Sequence, residues 1–191
     1  MRFVLTILLL AVLVASCKLD KPKNSLTVIE FGDFQCTACR RLALVHWPAV
    51  KAQFGDRVTL LYRHWPQRYH PHAYQAAVAA VCAGEQGHFS AIHDLFYREQ
   101  ALIGVVSFRE FARRSGVPNV HAFDRCVAGP NAKAIVDTDI RAAEQSGGEG
   151  TPALLINGIR YRLRSDTTWL PRIIDSLLRG QPSDRDSAKP H

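Results

Sequence analysis

The chain predicts an α/β domain in which a β-α-β half and a β-β-α half flank a helical subdomain, and three observations carry that expectation. Two short apolar runs rich in β-branched residues, 26–31 (LTVIEF) and 58–63 (VTLLYR), bracket a helix-like stretch. A long middle with helical periodicity follows. Then Asn157-Gly158, a tight-hairpin dipeptide, separates two further short apolar runs, and a last amphipathic stretch closes the pattern.

Residues 26–31 read as a buried strand because apolar side chains fill the run almost without interruption. From about Cys36 to Phe54, Ala38, Leu42, Val45, Ala49 and Phe54 recur near one helical face. Pro48 is expected to kink that helix, since its ring nitrogen cannot donate to the preceding turn. Gly55-Asp56 ends it and residues 58–63 make a second strand; strand, helix and strand in this order build a parallel pair. Pro71 reads as a first helical residue ahead of Ala73, Ala76, Ala77 and Ala80, with Gly84 as the stop. Phe89, Ile92, Leu95 and Phe96 form another stripe. Ser107 and Glu110 have capping-box spacing before Phe111, and Asn119 is placed to cap a helix bearing Val120, Phe123 and Val127. Residues 130–145 read as one more helix. After the glycines at 147–150, residues 153–156 and 159–163 form the hairpin. Trp169, Leu170, Ile173, Ile174, Leu177 and Leu178 then share one face of a helix that Gly180 stops.

With 191 residues and 47% of them hydrophobic, the chain suffices for one domain with a substantial core, and it shows no repeat or low-complexity block. Its start does not belong to that core. Arg2 precedes an apolar run, Phe3 to Val14, that is too short for a stable membrane span, so residues 1–16 read as a signal peptide. Leu13-Val14-Ala15-Ser16-Cys17 resembles the bacterial lipoprotein box, in which the cysteine becomes the lipidated first residue. The alternative is an ordinary secretory signal that leaves Cys17 a free thiol. Setting Cys17 aside turns five cysteines into an even four, which favours lipidation. Residues 17–25 then form a tether, the folded domain runs over 26–179 with its helical insertion at about 68–130, and 180–191 make a flexible tail. Export permits disulfides. The net charge of +7 comes mostly from scattered arginines, which reads as a solvated surface; a basic face for acidic clients or anionic lipid is the second reading. No helix-turn-helix, zinc-finger or base-stacking signature is present, so no nucleic-acid partner is expected.

Cys36 and Cys39, in FGDFQCTACRR, carry the chemistry. A first cysteine at a helix start lies among unpaired backbone N–H groups at the positive end of the helix dipole, which stabilises its thiolate. The thiolate is the reactive form. The second cysteine, three residues on, lies one turn below on the same face and can close a disulfide. A zinc site needs four ligands, and neither Cys82 nor Cys126 has a partner at ligand spacing, so no metal is expected. A purely structural 36–39 staple is disfavoured because so short a loop removes little chain entropy.

The strand followed by CxxC, together with GTPALLING at 150–158 about 115 residues later, resembles the thioredoxin superfamily, and specifically its DsbA-like branch. Pro48, RHWPQRYHPHAYQAA at 63–77 and EQGHFSAIHDLF at 85–96 fit the same branch. The resemblance implies a thioredoxin fold with an inserted helical subdomain. It makes Cys36 the exposed nucleophile and Cys39 the buried resolving thiol. Pro152 takes the position of a cis-proline beside the disulfide, and Thr151 offers its backbone to an extended client. Glu30 matches a buried acid that relays protons to the resolving thiol; flanked by Val28, Ile29 and Phe31 it looks buried, the other reading being a surface Glu on an edge strand. Thr37-Ala38 departs from the Pro-His of the best-known oxidases, so the redox potential does not carry over. Cys82 and Cys126, on separate helices, read as a structural disulfide worth about 2–4 kcal/mol rather than a second redox pair. His64, His70 and His72 read as turn and capping residues, with the groove edge as the alternative.

The function expected is an extracytoplasmic, membrane-anchored thiol–disulfide oxidoreductase acting on cysteines of exported proteins through Cys36 and Cys39. No cofactor is expected beyond that redox-active disulfide. A membrane partner restores the pair, a quinone-linked oxidase in the oxidising direction or an electron-donating reductase in the other. The resemblance tilts the direction towards oxidase, with reductase or isomerase as the alternative. A non-catalytic binding lipoprotein and a Cu(I)-handling protein are the rivals, although the only methionine is the initiator.

Overall fold

A computed structural model describes residues 25–180. The expectations for residues 1–16, Cys17, nearly all of the tether and residues 181–191 lie outside the described residues. β1 (Leu26–Gly32) is the hub of the sheet. It pairs in parallel with β2 (Val58–His64) and antiparallel with β3 (Ala153–Ile156), and β3 turns into β4 (Ile159–Arg162), giving the order β2-β1-β3-β4. Asn157 and Gly158 adopt φ of 51° and 77°, the two positive values that a right-twisted two-residue hairpin requires.

Residues 37–54 form three segments instead of one kinked helix: α1 (Thr37–Arg41), a π-helical turn at Leu42–His46, and α2 (Trp47–Phe54). Cys36 is the N-cap and not a helical residue. Pro48 sits in the first turn of α2. Its missing N–H would break a continuous ladder, and the wide turn just before it absorbs the defect.

Five helices lie between β2 and β3: α3 (Ala73–Gly84), α4 (Phe89–Arg98), α5 (Phe108–Arg114), α6 (Val120–Ala128) and α7 (Asn131–Gln145). α3 is their centre because Ala76, Ala77, Ala79 and Ala80 present so little side chain that neighbours approach from several sides. It starts at Ala73 rather than at Pro71; His72 N donates to Gln35 Oε1 at 2.7 Å, which ties the preceding turn to the loop before α1. Ser107 Oγ accepts from Glu110 N at 3.2 Å, but the Glu110 carboxylate turns to Arg113, so only half of the capping box forms. Asn119 Oδ1 caps α6 through Ala122 N at 2.9 Å. Cys82 of α3 and Cys126 of α6 are joined by a disulfide across a sequence separation of 44.

α8 (Trp169–Leu178) completes the chain. The two-residue alternation of β1 sends Leu26, Val28 and Glu30 to one face of the sheet and Ile29 and Phe31 to the other. Val28 packs with Val50 and Phe54 of α2 and with Leu170 and Ile174 of α8, each such burial contributing roughly 1.5–3 kcal/mol. On the opposite face Phe31 packs with Trp65, Ala143 and Ala153.

Candidate active site

The loop between β1 and α1 is held by a carboxylate that the sequence did not single out. Asp33, buried, accepts from Gln35 N at 2.7 Å and Gln67 N at 2.7 Å and pairs with His70 Nδ1 at 2.8 Å. Its own carbonyl accepts from Cys36 N at 3.1 Å. Gln100 Nε2 adds bonds to Phe34 O (2.7 Å) and Cys36 O (3.1 Å). The loop backbone is therefore satisfied from three directions, and Cys36 is placed where α1 begins.

Cys36 and Cys39 are unbridged, so the pair is a dithiol. Cys36 is more enclosed than the exposed nucleophile expected, keeping 8% of its surface, whereas Cys39 keeps none. The Cys39 N–H points to Cys36 Sγ at 3.4 Å, and the Cys36 thiol donates to Thr151 O at 3.3 Å. The Thr151–Pro152 peptide is cis, bringing that carbonyl over the sulfur from 115 residues away.

The two thiols differ in acidity for stated reasons. Cys36 is lowered to about 6, chiefly because the Cys39 thiol can donate to its thiolate; the Thr151 side chain and the N–H groups of Cys39 and Ala38 add to this, while partial burial opposes it. The Thr151 hydroxyl has no hydrogen-bond partner among the described residues and is free to turn to the thiolate. Burial pushes the Cys39 thiol well above its ordinary value, and the neighbouring Cys36 and Glu30 push it further. One sulfur is thus a thiolate near neutral pH and the other is held as a thiol.

Glu30 lies in register with Tyr62 of β2 and Leu154 of β3. Since β1 is interior to the sheet, the surface-edge reading does not hold: Glu30 is fully buried and neither carboxylate oxygen has a partner. Burial, with the nearby Cys36 charge, raises it to about 8, so the acid can hold or release a proton close to neutral pH. Tyr62 and Tyr97 join hydroxyls at 3.0 Å beside it, and Tyr97 Oη donates to Asp33 O at 3.4 Å. Gly32 makes room for Tyr62, whose ring would lie 2.5 Å from any Cβ there.

The histidines separate. His70 buttresses Asp33. His72 lies against Gly104, which with φ +93° and a His72 ring atom 2.2 Å from any Cβ admits no larger residue. His64 is buried among Phe34, Tyr62 and Phe89, and burial lowers its pKa to about 3. No hydrogen bond joins any of them to Cys36 among the described residues, and His70 also borders a hollow with Trp65, Gln67 and Tyr69. Among the described residues no group of three or more His, Cys, Asp or Glu side chains is placed to hold a metal ion.

Asp33, Tyr62, Tyr97 and Gln100 are the site residues that sequence reasoning passed over. Asp33 had a signal, its place three residues before Cys36; the other three reach the site only through strand register and helix packing.

Known proteins bear out the fold. The thioredoxin family model matches residues 18–176. The chain is 33% identical over 160 residues to the Na(+)/H(+) antiporter NhaA 1 of Mycolicibacterium gilvum, covering 82% of this chain and 25% of that protein. The chain spans about a quarter of the length of the curated relatives it matches. Among solved structures, a thioredoxin-like oxidoreductase from Silicibacter pomeroyi superposes with a TM-score of 0.67 at 25% identity, covering 83% of this chain and 90% of that one. BdbD from Bacillus subtilis, in its oxidised form, gives 0.72 at 18% identity over 85% and 91%. The architecture is the thioredoxin fold with inserted helices, of the DsbA-like kind.

Proposed function

Because the chain belongs to the thioredoxin family, we propose that it is an extracytoplasmic thiol–disulfide oxidoreductase that exchanges disulfides with exported proteins through Cys36 and Cys39. One observation carries the proposal: the two sulfurs, three residues apart, are driven to opposite acidities beneath the Thr151 carbonyl. A structural pair has no need of that asymmetry, whereas exchange depends on it.

In the oxidising direction a client thiolate attacks Cys36 Sγ of the 36–39 disulfide. The S–S bond breaks, its electron pair goes to Cys39, and a mixed client–Cys36 disulfide forms. Cys39, disfavoured as an anion, takes a proton, and Glu30 is the adjacent buried acid able to supply it. A second client thiolate then attacks the client sulfur and expels Cys36 as a stabilised thiolate. The client gains one disulfide and the pair gains two electrons. The reducing direction runs the same steps backwards. Stabilising the Cys36 thiolate favours the reduced pair and so makes the disulfide a better oxidant. The lowered Cys36 pKa supports the oxidising direction for the same reason.

No cofactor is needed beyond the cysteine pair itself. The lipoprotein-like start supports a membrane anchor at Cys17, and a membrane thiol-redox partner, quinone-linked for an oxidase, regenerates the pair. The antiporter activity in the relatives' names is not carried over, because the chain spans only about a quarter of those proteins. Oxidation of a reduced client and reduction of insulin, each measured for the wild type and Cys36→Ser, test the proposal; activity that survives the substitution ends it. A Cys39→Ser variant should accumulate mixed disulfides through Cys36 and so identify the clients.

A further inference from the structure

We infer that the groove beside Cys36 selects client segments with acidic side chains next to the reacting cysteine. The inference rests on the exchange activity proposed above and names its substrate class. Two hollows adjoin the site. One, of about 340 Å³, lies between α1 and the β3–β4 end of the sheet and is bounded by Ala38, Arg41, Thr151, Pro152, Arg160 and Arg162. The other, about 350 Å³, continues past Leu44 and Val45 and shares Ala38 and Arg41 with the first. Arg41 therefore stands between them, within the surface that a client must cross to reach Cys36.

The charges around the first hollow do not balance. Arg162 is neutralised by Glu149, the one carboxylate bounding it. Neither Arg41 nor Arg160 is in an ion pair among the described residues. Asp166, which like Arg41 acts on His46, is occupied by Thr168 and Arg172. Arg40, next to Arg41 in the chain, is anchored through Nε to Tyr97 O at 2.8 Å and adds its charge to the second hollow, which it lines together with Arg41. Two unpaired guanidiniums thus line a groove that contains the Thr151–Pro152 backbone. A client laid along that backbone brings its cysteine to Cys36 and its neighbouring side chains within reach of Arg41 and Arg160. Planar guanidinium forks bind carboxylates through paired N–H···O bonds, and complementary charge acts chiefly on encounter and on choice of partner. The attacking client sulfur is itself an anion, so the same field favours its approach.

The test uses three dithiol peptides identical except that Glu, Gln or Lys flanks the cysteine, oxidised by the disulfide form of the chain. Flanking charge alters the intrinsic reactivity of each thiol, so every rate is divided by that peptide's rate with hydroxyethyl disulfide, a neutral oxidant. The expected Glu-to-Lys ratio is about tenfold at low salt and shrinks towards about twofold in 0.5 M salt as screening takes hold. In the double variant Arg41→Gln/Arg160→Gln it falls towards one, and in Arg41→Glu/Arg160→Glu, where both charges are reversed, it inverts. Equal normalised rates in the wild type, or a preference that persists in the double variant, overturn the inference. Should no peptide be oxidised, the exchange activity itself falls. The charge preference is then still decided by binding of the Cys→Ser peptides, measured by NMR titration, where equal affinity for the Glu and Lys forms overturns it as well.

Discussion

Two cysteine pairs in one chain, 36–39 and 82–126, show how surroundings decide what sulfur does. Cys39 and Cys82 are equally buried. Closing a three-residue separation removes only about 1.6 kcal/mol of chain entropy on the loop model, whereas closing the 44 residues between Cys82 and Cys126 removes about 4 kcal/mol. The first pair gains little stability from bonding but has an N-cap position, a carbonyl, donors to one sulfur and an acid near the other. The second pair joins α3 to α6 among apolar side chains. Reactivity is supplied by hydrogen bonds and burial around the short pair, and stability by chain length between the members of the long one.

The sharpest way to break this contrast is to remove each pair in turn. Cys36→Ser should lower client exchange by about 10³-fold or more, since a hydroxyl cannot replace the thiolate, with a Tm within a few degrees of wild type. The double variant Cys82→Ala/Cys126→Ala should do the reverse. It should lose about 4 kcal/mol, a fall of roughly 8–16 °C in Tm, while its exchange rate at 20 °C stays within about twofold. Enzyme assays and melts on the same two samples decide it, and a matching pattern in both would erase the distinction.

Glu30→Gln should slow exchange by at least about tenfold near pH 7, because the proton for Cys39 loses its nearby source. It should also stabilise the fold. Glu30 is raised in the folded state, from 4.5 to about 8, so the native chain binds the extra proton between those values. Stability from this group therefore falls as pH rises from about 4.5 and is lost once pH passes about 8. The variant removes that decline: its Tm should match wild type near pH 4.5 and exceed it by roughly 5 °C or more at pH 8. Melts that run parallel across that range would contradict the buried, unpartnered carboxylate.

Alkylation with iodoacetamide separates the two members of the short pair. Modification at Cys36 should rise about tenfold per pH unit below 6 and level off above it, following its thiolate. Cys39 should stay unmodified beyond pH 9. The smallest effect is expected at Tyr62→Phe, which deletes the hydroxyl bonded to Tyr97; about 1 kcal/mol, or 2–4 °C, is the scale.

The strands, the Asn157-Gly158 hairpin, the two side-chain caps and the CxxC were legible in the sequence because each is written in neighbouring residues. Glu30 was legible too, as a lone acid inside an apolar strand. The π-helical turn at Leu42–His46 was not, since Pro48 announces a missing hydrogen bond but not how the backbone accommodates it. Nor were the partners of Asp33, or the Tyr62–Tyr97 hydroxyl pair. Those contacts depend on β1–β2 register and on where α4 docks, which no local pattern encodes.

The central claim is that one pair exchanges electrons and the other holds the fold. Equilibrating the native chain across a series of glutathione buffers, then mapping the trapped thiols by mass spectrometry, tests it directly. Cys36 and Cys39 should titrate together between dithiol and disulfide while Cys82–Cys126 stays bridged throughout. Titration of Cys82–Cys126 over the same range, or a 36–39 pair that does not respond, would contradict the account.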